Sequence, residues 1–247
     1  MGGDERHRKL ARELPLSAGG PVVDLGCGSG LTLLALRERL GPDVELVGAD
    51  REPAPLAEGL TGDPRVRSVV ADLREPLPFA DASFEAAICH NTLECLPDKP
   101  AFLDEVARVL TPGGHLLLGH TDFDTIVFNA SDLRLTRRLV HAFADTHEAW
   151  MDASDGMLGR KLIAISRTSP FERVEAFAWA CLDTDFAPEG AAQVALQGIA
   201  GAVRRDHHDE LAARLEGWRE DLRGLAARGE FLYSVNDYAV LLRKPCG

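Results

Sequence analysis

Three carboxylates in the first third of this 247-residue chain stand where each can grip a polar ligand: Asp24, Asp50 and Asp72. Asp24 leads into Gly26, Gly28 and Gly30 within the stretch VVDLGCGSG, with Cys27 inside the loop. Glycines after an apolar run let the backbone turn tightly and present bare N–H groups to a ligand. The dinucleotide fingerprint G-x-G-x-x-G/A asks for a small third residue where this chain has Leu31. The spacing here is G-x-G-x-G, and Asp24 repels a phosphate while attracting an ammonium or sulfonium. Asp50, with Arg51 beside it, is placed to accept two ribose hydroxyls. Asp72 is placed to take an exocyclic amine, with Leu73 covering the base. Each acid also has a plainer use: Asp24 as a cap on a loop N–H, Asp50 as a helix N-cap, Asp72 as a turn residue.

Positioning these groups requires strands that end where they begin. Short apolar runs predict strands at 21–25, 44–48, 65–70, 84–89 and 115–119. Helical patterns at 31–40, 53–60 and 98–110 lie between them. Alternating strands and helices predict parallel crossover units in an α/β, doubly wound sheet. The carboxyl ends of such strands are where open sheets bind ligands, and all three acids fall there. The second half reads as helices at 131–150 and 159–166, a strand at 173–181, one helical stretch at 189–228 and a last strand at 231–242. Leu211, Leu215, Trp218, Leu222 and Leu225 form one apolar stripe in that stretch. The expectation is one domain over 1–247, with an N-terminal helix in 1–20 and helical insertions at 126–170 and 187–229.

Bulk chemistry narrows the partners. A net charge of −12 without a basic run argues against nucleic acid and against an anionic membrane surface. No apolar stretch reaches the roughly 18 residues of a membrane span, and the charged start MGGDERHRKLAREL lacks the apolar core of a secretory signal. Five cysteines without a CxxC pair fit free thiols in a cytoplasmic protein and no metal site.

VVDLGCGSG, VELVGAD, VVADLREPLPF, FEAAICHNTLECLPD and LTPGGHLLLGHTDFDT together resemble the class I S-adenosylmethionine-dependent methyltransferases, in particular the small-molecule branch. The likeness covers Pro21 to Thr125. It implies S-adenosyl-L-methionine as cofactor, with Asp24, Gly26, Cys27, Gly28 and Gly30 at the methionine end. Asp50 and Arg51 would serve the ribose, and Asp72 and Leu73 the adenine. Cys89 and His90 would flank the sulfonium. The resemblance also implies the strand order 3-2-1-4-5-7-6, Rossmann-like, with an antiparallel last strand.

A methyl acceptor should then sit past strands four and five. His90, Asn91, His120, Thr121, Asp122 and Asp124 are there. His120 is the leading base, because histidine titrates near neutrality; Asp122 would orient it or bind an acceptor amine. A hydrogen-bonded structural histidine and a loop cap are the plainer readings. His141 and His147 are six apart on a helix and face different directions. His207-His208-Asp209-Glu210 cannot converge on one ion and reads as a solvated helix start. Phe123, Phe128, Phe143, Trp150, Met151, Met157 and Trp179 would wall an apolar acceptor pocket or simply pack. Arg6, His7 and Arg8 begin a helix that would close over the cofactor. The expected activity is methyl transfer to an oxygen or nitrogen of a small molecule by a monomer or homodimer. A nicotinamide-dependent oxidoreductase and a non-catalytic S-adenosylmethionine-binding protein are the alternatives.

Overall fold

The computed structural model describes residues 3–16, 19–52, 54–146 and 153–246. Seven strands form one sheet in the order β3-β2-β1-β4-β5-β7-β6. They are β1 (Val22–Leu25), β2 (Leu46–Asp50), β3 (Val66–Val70), β4 (Phe84–His90), β5 (Leu110–Phe128), β6 (Glu172–Asp183) and β7 (Tyr233–Arg243). The first five run parallel, and β7 is antiparallel to both of its neighbours. This is the order that the resemblance implied. β1 is buried along its whole length, as a central strand covered on both faces must be.

Helices cover both faces. α1 (Gly3–Glu13) and α2 (Leu31–Leu40) pack on one face, where Leu10, Leu14, Leu33 and Leu36 meet Ile88, Leu117 and Ala239. α3 (Lys99–Val109) packs on the other through Phe102, Val106 and Val109. Asp98 caps α3 by accepting from the Ala101 N–H at 3.0 Å. α4 (Leu133–Ala144), α6 (Ala191–Arg205) and α7 (Asp209–Ala227) form a separate core with Ile126 and Phe128 of β5 and Tyr233 and Val235 of β7. α5 (Leu162–Arg167) follows a 3₁₀ turn and joins the main core through Leu162.

Several expected elements change length. The helix expected at 53–60 is only a 3₁₀ turn, Glu58–Leu60, because Pro55 and Gly59 interrupt it. β5 does not stop at Gly119: it pairs with β7 out to Phe128, so the DFDT segment lies within a strand. The helical stretch at 189–228 is two helices, broken where His207 takes a φ of 54°. The stretch expected to be helical at 131–150 begins at Leu133 behind the Asp132 cap, while His147, Trp150 and Met151 lie outside the described residues.

The apolar stripe of α7 is buried at all five positions. Trp218 is its anchor: the ring packs 5.2 Å from Phe128, and its N–H donates to Thr136 Oγ1 at 2.9 Å. Trp218→Ala is expected to cost about 3–5 kcal/mol in urea unfolding. A loss under about 0.5 kcal/mol contradicts this placement of the cap core.

Candidate active site

The glycine loop joins β1 to α2 at the carboxyl end of the sheet. Gly26, Gly28 and Gly30 have φ of 79°, 50° and 80°, left-handed conformations that L side chains resist. Gly26 is also confined: a Cβ there would lie 2.2 Å from Thr92 Oγ1. Thr92, just past β4, therefore lies directly against the loop. The Gly26 N–H is held by the Ala49 carbonyl at 2.7 Å, which ties the loop to β2.

Asp50 closes the loop from the side. Its Oδ2 accepts from the Gly28 N–H at 2.8 Å and its Oδ1 from the Glu52 N–H at 3.0 Å. A carboxylate oxygen has two acceptor sites, so both oxygens keep one for a diol. Asp50 borders a cleft of about 460 Å³ that also includes Gly26, Arg51, Asp72, Leu73, Asn91 and Thr92 in its walls. That volume is in the range of small-molecule sites, about 300–1,000 Å³. At its far end Arg74 donates from Nε to Asp72 Oδ1 at 2.8 Å. This bond, with Arg51 adding its field, holds Asp72 at about 2, so it is ionised at neutral pH.

Asp24 is the anomaly. It is 2% exposed, and its Oδ2 has no hydrogen-bond partner among the described residues. Burial, with the nearby Asp50 charge, pushes its acid up to about 7. A buried, uncompensated carboxylate is what a ligand cation would neutralise and a pyrophosphate would not. Cys27 feels the same environment: burial and the two acids push its thiol up to about 12, so it is not a nucleophile.

The remaining expected residues divide between sites. Cys89 is buried in the main core, its thiol raised by burial, and does not border the cleft. His90 turns toward α1, its ring edge-on to His7 at 5.5 Å. Its Nε2 is buried without a hydrogen-bond partner among the described residues. Burial and the neighbouring Arg6, His7 and His120 lower its pKa well below 6.5. His120 is fully buried; its Nδ1 lies 2.6 Å from the Thr121 carbonyl and its Nε2 3.5 Å from Glu94. Asp122 does not hold His120: Arg160 takes both its oxygens. His141 is exposed, 3.4 Å from Asp124. Phe123 and Phe143 pack together at 5.1 Å.

Sequence reasoning missed Thr92, Glu94, Cys95 and Leu96, which follow β4 and build the cleft wall or the layer behind it. It also missed Asp237, fully buried on β7, which accepts from Arg6 Nε at 2.9 Å and from the Thr121 hydroxyl. Asn91 was visible as a strand-end polar group, and its φ of 51° marks the backbone turn there. α1 closes tightly on this side, since a Cβ on Gly119 would meet Leu10 at 2.8 Å. Among the described residues no helix is long and apolar enough to cross a membrane, and no three His, Cys, Asp or Glu side chains group as metal ligands.

Comparison with known proteins fits this geometry. A family profile described as "Methyltransferase domain" matches residues 23–118. The chain is 32% identical over 213 residues to 2-phytyl-1,4-naphtoquinone methyltransferase of Synechococcus elongatus, covering 81% of this chain and 77% of that one. It spans less than half the length of several other curated relatives. The YcgJ protein of Bacillus subtilis shares the fold, with a TM-score of 0.62 at 19% identity over 98% of this chain and 100% of that one. So does geranyl diphosphate methyltransferase in complex with SAM, with a TM-score of 0.53 at 14% identity over 98% and 85%.

Two variants probe the carboxylates. Asp24 has a folded pKa raised from 3.8 to about 7, so the native state holds the extra proton between those values and stability falls as pH rises through them. Asp24→Asn is therefore expected to stabilise the ligand-free protein by roughly 2–4 kcal/mol at pH 8 and little at pH 4, while weakening cofactor binding at least about tenfold. Urea unfolding at both pH values checks this, and equal stabilisation at both contradicts a charged Asp24. Asp50→Ala is expected to weaken cofactor binding by about 1–3 kcal/mol by calorimetry. An unchanged Kd removes Asp50 from the site.

Proposed function

This chain belongs to the class I S-adenosylmethionine-dependent methyltransferases, and from that premise we propose that it methylates an oxygen or nitrogen of a small molecule bound beyond the carboxyl ends of β4 and β5. When bound, S-adenosylmethionine supplies a methyl group on a positively charged sulfur, which leaves as a neutral thioether. The residues present fit it: Asp24 lacks a counter-charge, Asp50 keeps acceptor sites for a diol, and Leu73 gives an apolar wall beside Asp72.

The chain's own work is alignment, water exclusion and disposal of one proton. Alignment alone supplies much of the acceleration in a displacement. α1 and the core of α4, α6 and α7 supply the cover, and the insertions at 126–170 and 187–229 form the acceptor lid in this reading. The proton released by a hydroxyl or ammonium acceptor passes to His90 Nε2. The single observation that carries this assignment is that Nε2 is buried, without a partner among the described residues and on an imidazole kept neutral. In the tautomer with its proton on Nδ1, a neutral imidazole offers Nε2 as a base. His120 was the leading base by sequence, but its ring is sealed between the Thr121 carbonyl and Glu94. The base role therefore passes to His90 and Asp122 takes no part in it.

Incubating the protein with methyl-labelled S-adenosylmethionine and a pool of small hydroxylated and amino compounds tests the reading. Label is expected in a small-molecule product, with kcat in His90→Gln lower by about a hundredfold and cofactor affinity unchanged. The acid limb of kcat is expected below pH 6.5, the ordinary histidine value. Label confined to carbon, or full kcat in His90→Gln, contradicts the assignment.

A further inference from the structure

We propose that Asp237 is a positioning residue: through Thr121 it ties α1 to Asn91 in the wall of the cofactor cleft, so that the seating of α1 sets cofactor affinity. Thr121 and Asp237 stand directly opposite each other on β5 and β7. Asp237 is fully buried, and Arg6 of α1 donates from Nε to its Oδ2 at 2.9 Å. Cys181 of β6 donates to the same oxygen at 2.9 Å, and the Thr121 hydroxyl donates to Oδ1. Three separate elements thus converge on one carboxylate.

The direction of every bond in this chain is fixed from both ends. A carboxylate paired with a guanidinium only accepts, so the Thr121 hydroxyl gives its one hydrogen to Asp237. The Thr121 oxygen is then left to accept, and Asn91 donates to it from Nδ2 at 3.2 Å. At the other end the Thr121 backbone N–H can only donate, and it meets Asn91 Oδ1 at 2.8 Å. Both ends demand the same orientation of the Asn91 amide, and no bond can reverse without breaking another.

Asn91 is where the chain meets the ligand. It borders the cleft, whereas Thr121, Asp237 and Arg6 lie outside its walls. Its φ of 51° is in the left-handed region, which asparagine tolerates better than most side chains and which the two bonds to Thr121 hold in place. The next residue is Thr92, whose hydroxyl occupies the space a Gly26 side chain would need. Loss of the tie at Thr121 therefore loosens the cleft wall at Asn91 and Thr92 together. α1 reaches the same point by packing: the Asn91 N–H donates to the Gly119 carbonyl at 3.1 Å, and Leu10 lies against that glycine. This inference rests on the cleft being the cofactor site and is independent of the acceptor and of His90 as base.

Thr121→Val, Arg6→Met and the double variant, titrated calorimetrically with S-adenosylmethionine at pH 7, test the tie. Thr121→Val removes the hydroxyl and keeps the branched shape. Each single variant is expected to bind about five- to tenfold more weakly, the effect of one or two lost hydrogen bonds. Charge alone predicts otherwise. The ligand carries a sulfonium and an ammonium against one carboxylate, so losing the Arg6 cation would tighten binding and Thr121→Val would leave it unchanged. The double variant is expected to bind as weakly as the weaker single variant and no worse, because both cuts fall on one chain. Arg6→Lys, which keeps a cation opposite Asp237, is expected to recover most of the loss. Every titration is run below the unfolding midpoint of its variant, so lost stability alone leaves the Kd unmoved. Wild-type affinity in Thr121→Val or in Arg6→Met, or losses that multiply in the double variant, overturns the proposal. Asp50→Ala in the same titration separates the two readings: unchanged, it overturns the cleft and the tie together; weakened beside an unchanged Thr121→Val, it overturns the tie alone. If either single variant does not fold, the other decides with Asp50→Ala.

Discussion

The structure depends on a carboxylate that the folded chain buries and leaves uncompensated. Asp24 sits at the end of a central strand, closed in on both faces, with one oxygen unpartnered among the described residues. Burial without a counter-charge is unfavourable, so the apoprotein holds the group partly protonated. The glycine loop, the Asp50 clamp and the Thr92 wall arrange everything around that deficit. In the proposed reading the missing member is a cation, supplied by the cofactor. Stability is conceded at this point for binding, as active sites commonly do.

Much of this was legible in the sequence because it is local. Glycine spacing, the acid two residues before it and acids at strand ends are all read within short windows. The sheet order was not legible from periodicity; it came from the resemblance. β5 was read too short because its outer half pairs with β7, about a hundred residues away, and no local window contains that partner. The same non-locality hid Asp237, whose partners Arg6 and Thr121 are 231 and 116 residues distant. His120 was readable as a histidine at a strand end. Its seal was not, because Glu94 looks like any exposed acid of a polar turn.

The second half of the chain extends the sheet. β5 and β7 run past the ligand end, and their projecting parts, Ile126, Phe128, Tyr233 and Val235, seed the core on which α4, α6 and α7 pack. The cap is thus built on the same strands that carry Thr121 and Asp237. On the same face of β7, α1 is tied down by Arg6, which binds Asp237, and the residue after it by Arg39, which donates to the Leu14 carbonyl at 2.6 Å.

The central claim is that Asp24 meets a cation. Calorimetric titration of S-adenosylmethionine at pH 6.5, in buffers of different ionisation enthalpy, tests it most directly. At that pH the ligand's amino group, with an ordinary pKa near 8, is already protonated. Binding is expected to release protons to the buffer, because the arriving charge drives Asp24 to its ionised form. Binding with no buffer dependence, or with proton uptake, contradicts the claim.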